Sequence, residues 1–178
     1  MLYGVHGIGK STFAAEAPNA VFLPTEDGIA DIDCESYPLS SCFDQFMHYL
    51  QELHAFGLNR GVPIHLDGAR LFNVQAETEL PFSDYGDVCD SLMISLSKGL
   101  SCPVGAILLG DGAFIERARR VRKWMGGSLH QAGVLAACGL VALDEMPQRL
   151  ALDNALCRQL GGMVLGLQGA RMAQETID

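Results

Sequence analysis

The sequence predicts an α/β protein, a three-layer arrangement of helices around a mixed, mostly parallel sheet. Short apolar segments bounded by glycine, proline or aspartate alternate along the chain with longer segments whose apolar residues recur at helical spacing. Such alternation is typical of βαβ units, in which helices cover the faces of a sheet. Apolar residues make up 49% of the 178 residues and charged residues 19%, which is enough for a packed core.

The strands are predicted from short apolar segments that end at glycine, proline or polar residues. The first ends at Tyr3, and the others cover residues 20–23, 62–66, 91–97 and 106–109. The stretch over residues 24–41 is polar, acidic and rich in turn-forming residues, and it is predicted to be a loop.

The helices are predicted from apolar stripes and from capping residues. A stripe with the spacing i, i+3, i+4, i+7 and i+10 is formed by Phe43, Phe46, Met47, Leu50 and Leu53. Asp111 can cap a basic helix that the pair Gly126 and Gly127 ends, and Pro147 can begin the last helix. The predicted helices cover residues 11–16, 43–56, 71–76 (helix or turn), 111–124, 128–145 and 147–161.

Charge and hydropathy exclude several classes of function. A net charge of −9 argues against nucleic-acid binding, which needs a surplus of lysine and arginine. The longest apolar run, residues 132–143, is too short to cross a bilayer, so we expect no membrane contact and a cytoplasmic location. The six cysteines form no C-x-x-C pair, and the five histidines show no metal-ligand spacing. Neither a zinc site nor a redox motif is predicted.

The first motif is a phosphate-binding loop near the start of the chain. It matches G-x-x-x-x-G-K-[ST], in which the backbone N–H groups bind phosphate, Lys10 reaches the outer phosphates and Ser11 can bind Mg²⁺. The candidate nucleotide-binding residues are Gly4, Gly7, Gly9, Lys10, Ser11 and Thr12. With its flanks, "LYGVHGIGKSTFAAEAPNAVFLPTEDG" resembles the N-terminus of phage-type RecA-like P-loop proteins, which implies ATP and Mg²⁺ as ligands.

The second motif is an aspartate and a lysine that follow two successive strands. Asp67 ends "VPIHLD" and Lys98 ends "LMISLSK", with a helix-length segment between them. This arrangement suits a pyridoxal phosphate (PLP) site, where an aspartate pairs with the pyridinium nitrogen and a lysine holds the aldehyde as a Schiff base. Each residue taken singly also fits an ordinary strand-ending turn.

The segments "HLDGARLFN", "SLSKGL", "PVGAILLG", "FIERARRVRKWMGG" and "QAGVLAACGLVAL" resemble, in this order, the central part of the low-specificity L-threonine aldolases. Those are fold-type-I PLP enzymes that cleave β-hydroxy-α-amino acids to glycine and an aldehyde. The resemblance implies that Lys98 is the Schiff-base lysine, Asp67 the ring-nitrogen partner and Arg70 a cation for the substrate carboxylate or the cofactor. It also implies that Ser97, Lys123 and His130 contribute to cofactor binding. His130 stands where the family has an arginine.

The two resemblances divide the chain into a partial P-loop segment, residues 1–55, and a partial aldolase-like segment, residues 56–178. We therefore expect an incomplete fold-type-I large domain joined to a P-loop strand–loop–helix unit. The aldolase reading implies a small amino-acid substrate and a homo-oligomer. Three functions remain open from sequence: a PLP-dependent lyase with an incomplete site, an ATP-binding module using Lys10 and Ser11, and a composite chain without activity.

Overall fold

A computed structural model of the chain describes residues 21–22, 33, 35–38, 40 and 42–167. The chain divides into two compact units, with the division between Ala55 and Phe56. The glycine-rich loop at residues 4–12, the strand ending at Tyr3 and the helix predicted over residues 11–16 lie outside the described residues.

The first unit contains a pair of very short strands and most of a long helix. Strand β1, Val21–Phe22, pairs in parallel with strand β2, Glu35–Ser36. Helix α1, Phe43–Arg60, begins where the apolar stripe begins. Strand β1 confirms the strand predicted there, but β2 lies in the segment predicted to be a loop, which was wrong. A two-residue strand that is exposed on both residues has no apolar alternation, so its pairing leaves no signal in the sequence.

The second unit is built on a three-stranded mixed sheet. Strand β3, His65–Gly68, pairs in parallel with β4, Ser91–Ser95, and β4 pairs antiparallel with β5, Ala106–Gly110. Strand β4 is therefore central. The sheet is mixed, as predicted, but parallel and antiparallel pairs are equal in number. The strand predicted over residues 62–66 starts three residues later, so Asp67 lies inside β3 and does not follow it.

Two helices connect β3 to β4. Helix α2, Leu71–Thr78, confirms the helical alternative for that segment, and the short helix α3, Phe82–Gly86, was not predicted. Tyr85 of α3 is 2% exposed, and its hydroxyl lies 3.0 Å from the Thr78 hydroxyl. The parallel pairing of β3 and β4 requires such a crossover, because the chain must return to the starting edge of the sheet.

Three longer helices follow β4 and β5, namely α4, Gly112–Trp124, α5, Gly133–Glu145, and α6, Leu150–Leu165. Asp111 caps α4 as predicted, and its Oδ1 accepts a hydrogen bond from Phe114 N at 2.6 Å. Helix α5 starts five residues later than predicted. Pro147 begins a 3₁₀ turn before α6, and α6 continues through Gly161 and Gly162, which the prediction had taken as its end. Glycine weakens a helix by about 1 kcal/mol without stopping it.

The segment that follows β4 contributes buried residues to the core of this unit. Leu96, Leu100 and Cys102 are buried against Ala142 of α5 and Leu150 of α6. Phe72 and Ala76 of α2 are partly buried against the same cluster, to which Ile107, Cys138, Leu143 and Met146 also contribute. The loop after β4 is thus held by apolar packing although it has no regular secondary structure.

Candidate active site

Asp67 and Lys98 lie at the same edge of the sheet. Strands β3 and β4 are parallel, and Asp67 is opposite Met93 in their register. Asp67 is the last residue but one of β3, and Lys98 comes three residues after the end of β4. The carboxyl ends of parallel strands form one edge, and this edge is where α/β proteins bind ligands. Both residues on which the sequence interpretation depends are therefore placed toward the same edge of the sheet, and no hydrogen bond or ion pair among the described residues joins them.

The Asp67 carboxylate is exposed and held by a local turn. Its Oδ1 accepts a hydrogen bond from the backbone N–H of Ala69 at 3.1 Å, which fixes the carboxylate at the start of the crossover. The next residue, Gly68, packs closely against strand β4, because a Cβ there would lie 2.8 Å from Leu92 Cδ1 and from Met93 O. Arg70 is exposed at the position before α2, and its side chain makes no capping bond. A carboxylate and a guanidinium thus stand three residues apart on one turn.

The loop that carries Lys98 is anchored by buried apolar residues, and Lys98 itself is exposed to solvent. Leu96 N donates to Gly105 O at 3.0 Å, and Cys102 N donates to Leu96 O at 2.9 Å, so the loop closes on itself. Leu96, Leu100 and Cys102 are buried, whereas Ser97 and Lys98 are exposed. The buried residues anchor the loop, and the exposed pair is presented to solvent. Ser97 Oγ lies 3.4 Å from Ser95 Oγ.

Gly99 and Asn73 are features of this region that the sequence interpretation missed. A Cβ on Gly99 would lie 2.3 Å from Asn73 Oδ1 and 3.1 Å from Leu150 Cδ2, so a side chain here would force the Asn73 amide or the loop to move. Asn73 lies in α2, and it hydrogen-bonds across to Asn154 of α6. The sequence signal for both residues was their place beside the motifs, in "DGARLFN" and "SKGL", but sequence gives no indication that they touch.

The predicted phosphate-side residues are not brought to Asp67 and Lys98 by any contact within the described residues. Lys123 lies in the last turn of α4, and His130 lies in the segment between α4 and α5. Every residue from Val121 to His130 is exposed. The cofactor-binding roles of Lys123 and His130 remain predictions.

Two partly buried ionisable groups with shifted pKa values lie off this edge. Partial burial lowers the pKa of His65, whose Nδ1 lies 2.9 Å from Ser91 Oγ at the opposite end of β3. Burial raises the pKa of the Cys89 thiol, which favours its neutral form. Among the described residues, no three histidine, cysteine or acidic side chains are placed to hold a metal ion. None of the helices in this part of the chain has the length and hydropathy to span a membrane.

Comparison with known proteins identifies the class of this α/β fold. The model of the beta-eliminating lyase family matches residues 46–178, and the chain belongs to that family. The match begins within α1 and does not include the glycine-rich loop, so it gives no support to the P-loop interpretation.

The relatives that the chain resembles carry the name threonine aldolase. It is 42% identical over 106 residues to the low specificity L-threonine aldolase of Escherichia coli K12, covering 60% of this chain and 32% of the relative. It is 37% identical over 126 residues to low-specificity L-threonine aldolase 1 of Arabidopsis thaliana, covering 71% of this chain and 35% of the relative. The chain therefore spans about a third of the length of these curated relatives.

The fold of this chain is also similar to that of a solved protein structure. A candidate aromatic amino acid beta-eliminating lyase/threonine aldolase from Exiguobacterium aligns with a TM-score of 0.65 and 28% identity. The alignment covers 74% of this chain and 36% of that one.

Proposed function

We propose that residues 56–178 are the cofactor-anchoring segment of a PLP-dependent carbon–carbon lyase of the threonine aldolase type. The substrate would be L-threonine or a related β-hydroxy-α-amino acid, and the products glycine and an aldehyde. The observation that carries the proposal is the placement of Asp67 and Lys98 at one edge of adjacent parallel strands, in a chain of the beta-eliminating lyase family.

The donor set at this edge fits PLP. The cofactor needs a carboxylate for its ring nitrogen and a primary amine for its aldehyde, and Asp67 and Lys98 supply one of each. Both side chains are exposed, so a ligand can reach them. The hydrogen bond from Ala69 occupies Asp67 Oδ1 and limits the rotation of the carboxylate.

Each residue would act through its ordinary chemistry. When bound, PLP supplies an electron-withdrawing ring that stabilises negative charge on the substrate carbon at which the bond breaks. Asp67 would keep a proton on the ring nitrogen by offering it a negative partner. Lys98 would anchor the cofactor and exchange a proton through its amine, and Arg70 would bind the substrate carboxylate as a bidentate donor.

The remaining site residues are proposed from the family resemblance. Ser97, beside Lys98, and the cations Lys123 and His130 would contribute to the cofactor's phosphate side. The chain spans about a third of the length of these relatives, and the complete lyase activity belongs to this proposal.

A homo-oligomer is part of the same proposal. Helices α5 and α6 leave large apolar side chains uncovered, and Leu140, Leu160 and Met163 are 71%, 62% and 66% exposed. Exposed apolar faces of this kind mark surfaces that other protein covers. Light scattering of the purified chain should give a mass above 19.1 kDa, and a monomer at all concentrations would remove this part.

The function is tested by cofactor attachment and by turnover. The purified chain is titrated with PLP, reduced with borohydride and digested, and the Lys98 peptide is weighed by mass spectrometry. We expect labelling at Lys98 in the wild-type chain, none in Lys98→Ala, and weaker labelling in Asp67→Ala. Labelling spread evenly over surface lysines would refute the proposal. Labelling without glycine formation from L-threonine would leave a cofactor-binding segment and refute activity of the isolated chain.

A further inference from the structure

The side-chain oxygen of Asn73 is buried and unpaired beside the Lys98 loop. Asn73 Oδ1 has almost no contact with solvent, and it accepts no hydrogen bond within the described residues. It lies against Gly99, since a Cβ on Gly99 would be only 2.3 Å from it. Buried acceptors nearly always have a partner in folded proteins, so an unpaired one next to a functional lysine calls for a physical reason.

The orientation of the Asn73 amide is fixed by Asn154. Asn154 Nδ2 donates to Asn73 O at 2.9 Å and to Glu77 Oε2 at 3.2 Å, so its nitrogen must face these two oxygens. Asn154 Oδ1 is then an acceptor, and it receives Asn73 Nδ2 at 3.2 Å. Turning the Asn73 amide over would set two oxygens against each other. Asn73 Oδ1 is therefore directed at Gly99 by the bonding pattern itself.

A donor is available on the loop. The backbone N–H groups of Lys98 and Gly99 donate no hydrogen bond in the described part of the chain, although Ser101 N donates to Lys98 O at 2.9 Å. The N–H of Gly99 belongs to the peptide unit that directly follows the Lys98 Cα. The Lys98 carbonyl lies in the same plane, so turning this plane to present the N–H to Asn73 Oδ1 would exchange the Ser101 N–Lys98 O bond for the new one.

We infer that Asn73, held in orientation by Asn154, is a positioning residue for the Schiff-base lysine. When Lys98 carries the cofactor, Asn73 Oδ1 accepts a hydrogen bond from the Gly99 N–H and fixes the Lys98 backbone. This inference rests on the proposed function, because it assigns Asn73 a role only in the cofactor-loaded chain.

Matched variants separate this role from simple attachment of α2 to α6. Asn73→Leu removes the acceptor at similar volume. Asn154→Leu frees the Asn73 amide, because it removes the partner that fixes the amide's orientation. Arg158→Ala removes the ion pair with Glu77, which also joins α2 to α6, without touching Asn73.

The readout is the PLP concentration that half-saturates borohydride-fixed label on Lys98 in the full chain. We expect it to rise by about tenfold in Asn73→Leu and in Asn154→Leu, the scale of one hydrogen bond. Arg158→Ala should label like the wild-type chain. Equal labelling of wild type and Asn73→Leu would overturn the inference, as would an equal shift in Asn154→Leu and Arg158→Ala.

Hydrogen exchange of the wild-type chain gives a second test that needs no variant. The amide of Gly99 should gain protection when PLP is added, and an unchanged exchange rate there would overturn the inference even if the leucine variants fail to fold. A wild-type chain that is not labelled at Lys98 would instead remove the proposed function, and the inference with it. The two failures are thus distinguished by whether wild-type label appears.

Discussion

The close contact at Gly99 predicts that a single methyl group will disturb the Lys98 loop. In Gly99→Ala the new Cβ would lie 2.3 Å from Asn73 Oδ1, whereas ordinary contacts lie at 3.4–4 Å. The side chain and the loop must therefore move apart by about 1 Å, and Leu150 Cδ2, at 3.1 Å, blocks one direction of escape. Such overpacking costs about 1–3 kcal/mol of the free energy of unfolding.

Gly162→Ala is the matched control. Gly162 lies within α6, and a Cβ there would meet nothing within 4 Å. Alanine should stabilise this helix by about 0.5–1 kcal/mol, because it restricts the unfolded chain. The same substitution should thus change stability in opposite directions at two sites.

The assay is urea unfolding followed by circular dichroism, with the free energy of unfolding compared between the two variants. A double-mutant cycle with Asn73→Ala identifies the contact, since removing the amide should recover part of the loss in Gly99→Ala. If Gly99→Ala is as stable as Gly162→Ala, or if Asn73→Ala recovers nothing, the packing argument is wrong.

Three further predictions concern the fold. Leu150→Ala should lower the free energy of unfolding by about 2–5 kcal/mol, because Leu150 is 0% exposed in the core beneath the Lys98 loop; a urea midpoint like that of wild type would contradict this. Asp111→Ala should cost about 1 kcal/mol through loss of the cap on Phe114 N, and faster amide exchange confined to the first turn of α4 would report it. Partial burial lowers the pKa of His65, so the folded chain binds fewer protons there than the unfolded chain. Its contribution to stability should be complete above the ordinary histidine pKa of about 6.5 and be lost as the pH falls through the lowered value; His65→Gln should reduce this dependence, and an identical stability–pH curve would count against it.

Local sequence signals predicted most helices and strands of the second unit. The cap at Asp111 fixed the start of α4 because a side-chain acceptor is a local signal. The predicted ends of helices and strands were wrong where the local sequence signal was weak. The strand at residues 62–66 was placed too early because its apolar run begins before the ladder does, and pairing with β4 selected His65–Gly68. Helix α3 has five residues and no periodic apolar stripe, so the sequence did not predict it.

The candidate site was also predicted from sequence only in part. Asp67 and Lys98 could be chosen from sequence because residue type, strand ends and family motifs all coincide there. Their common edge depends on β3 and β4 being parallel, and the intervening crossover made that arrangement predictable. The roles of Lys123 and His130 depended on resemblance, and no contact in the described residues joins them to the pair.

By itself, the sequence determined the α/β class and the family, and it selected Asp67 and Lys98 as candidate site residues, because these are written in periodicity and in ordered motifs. The tertiary structure decided what surrounds the lysine. Asn73, Gly99 and Asn154 come together from α2, the loop after β4 and α6, with as many as 81 residues between two hydrogen-bonded partners. Packing of distant segments brings such groups into contact, and no local pattern in the chain encodes it.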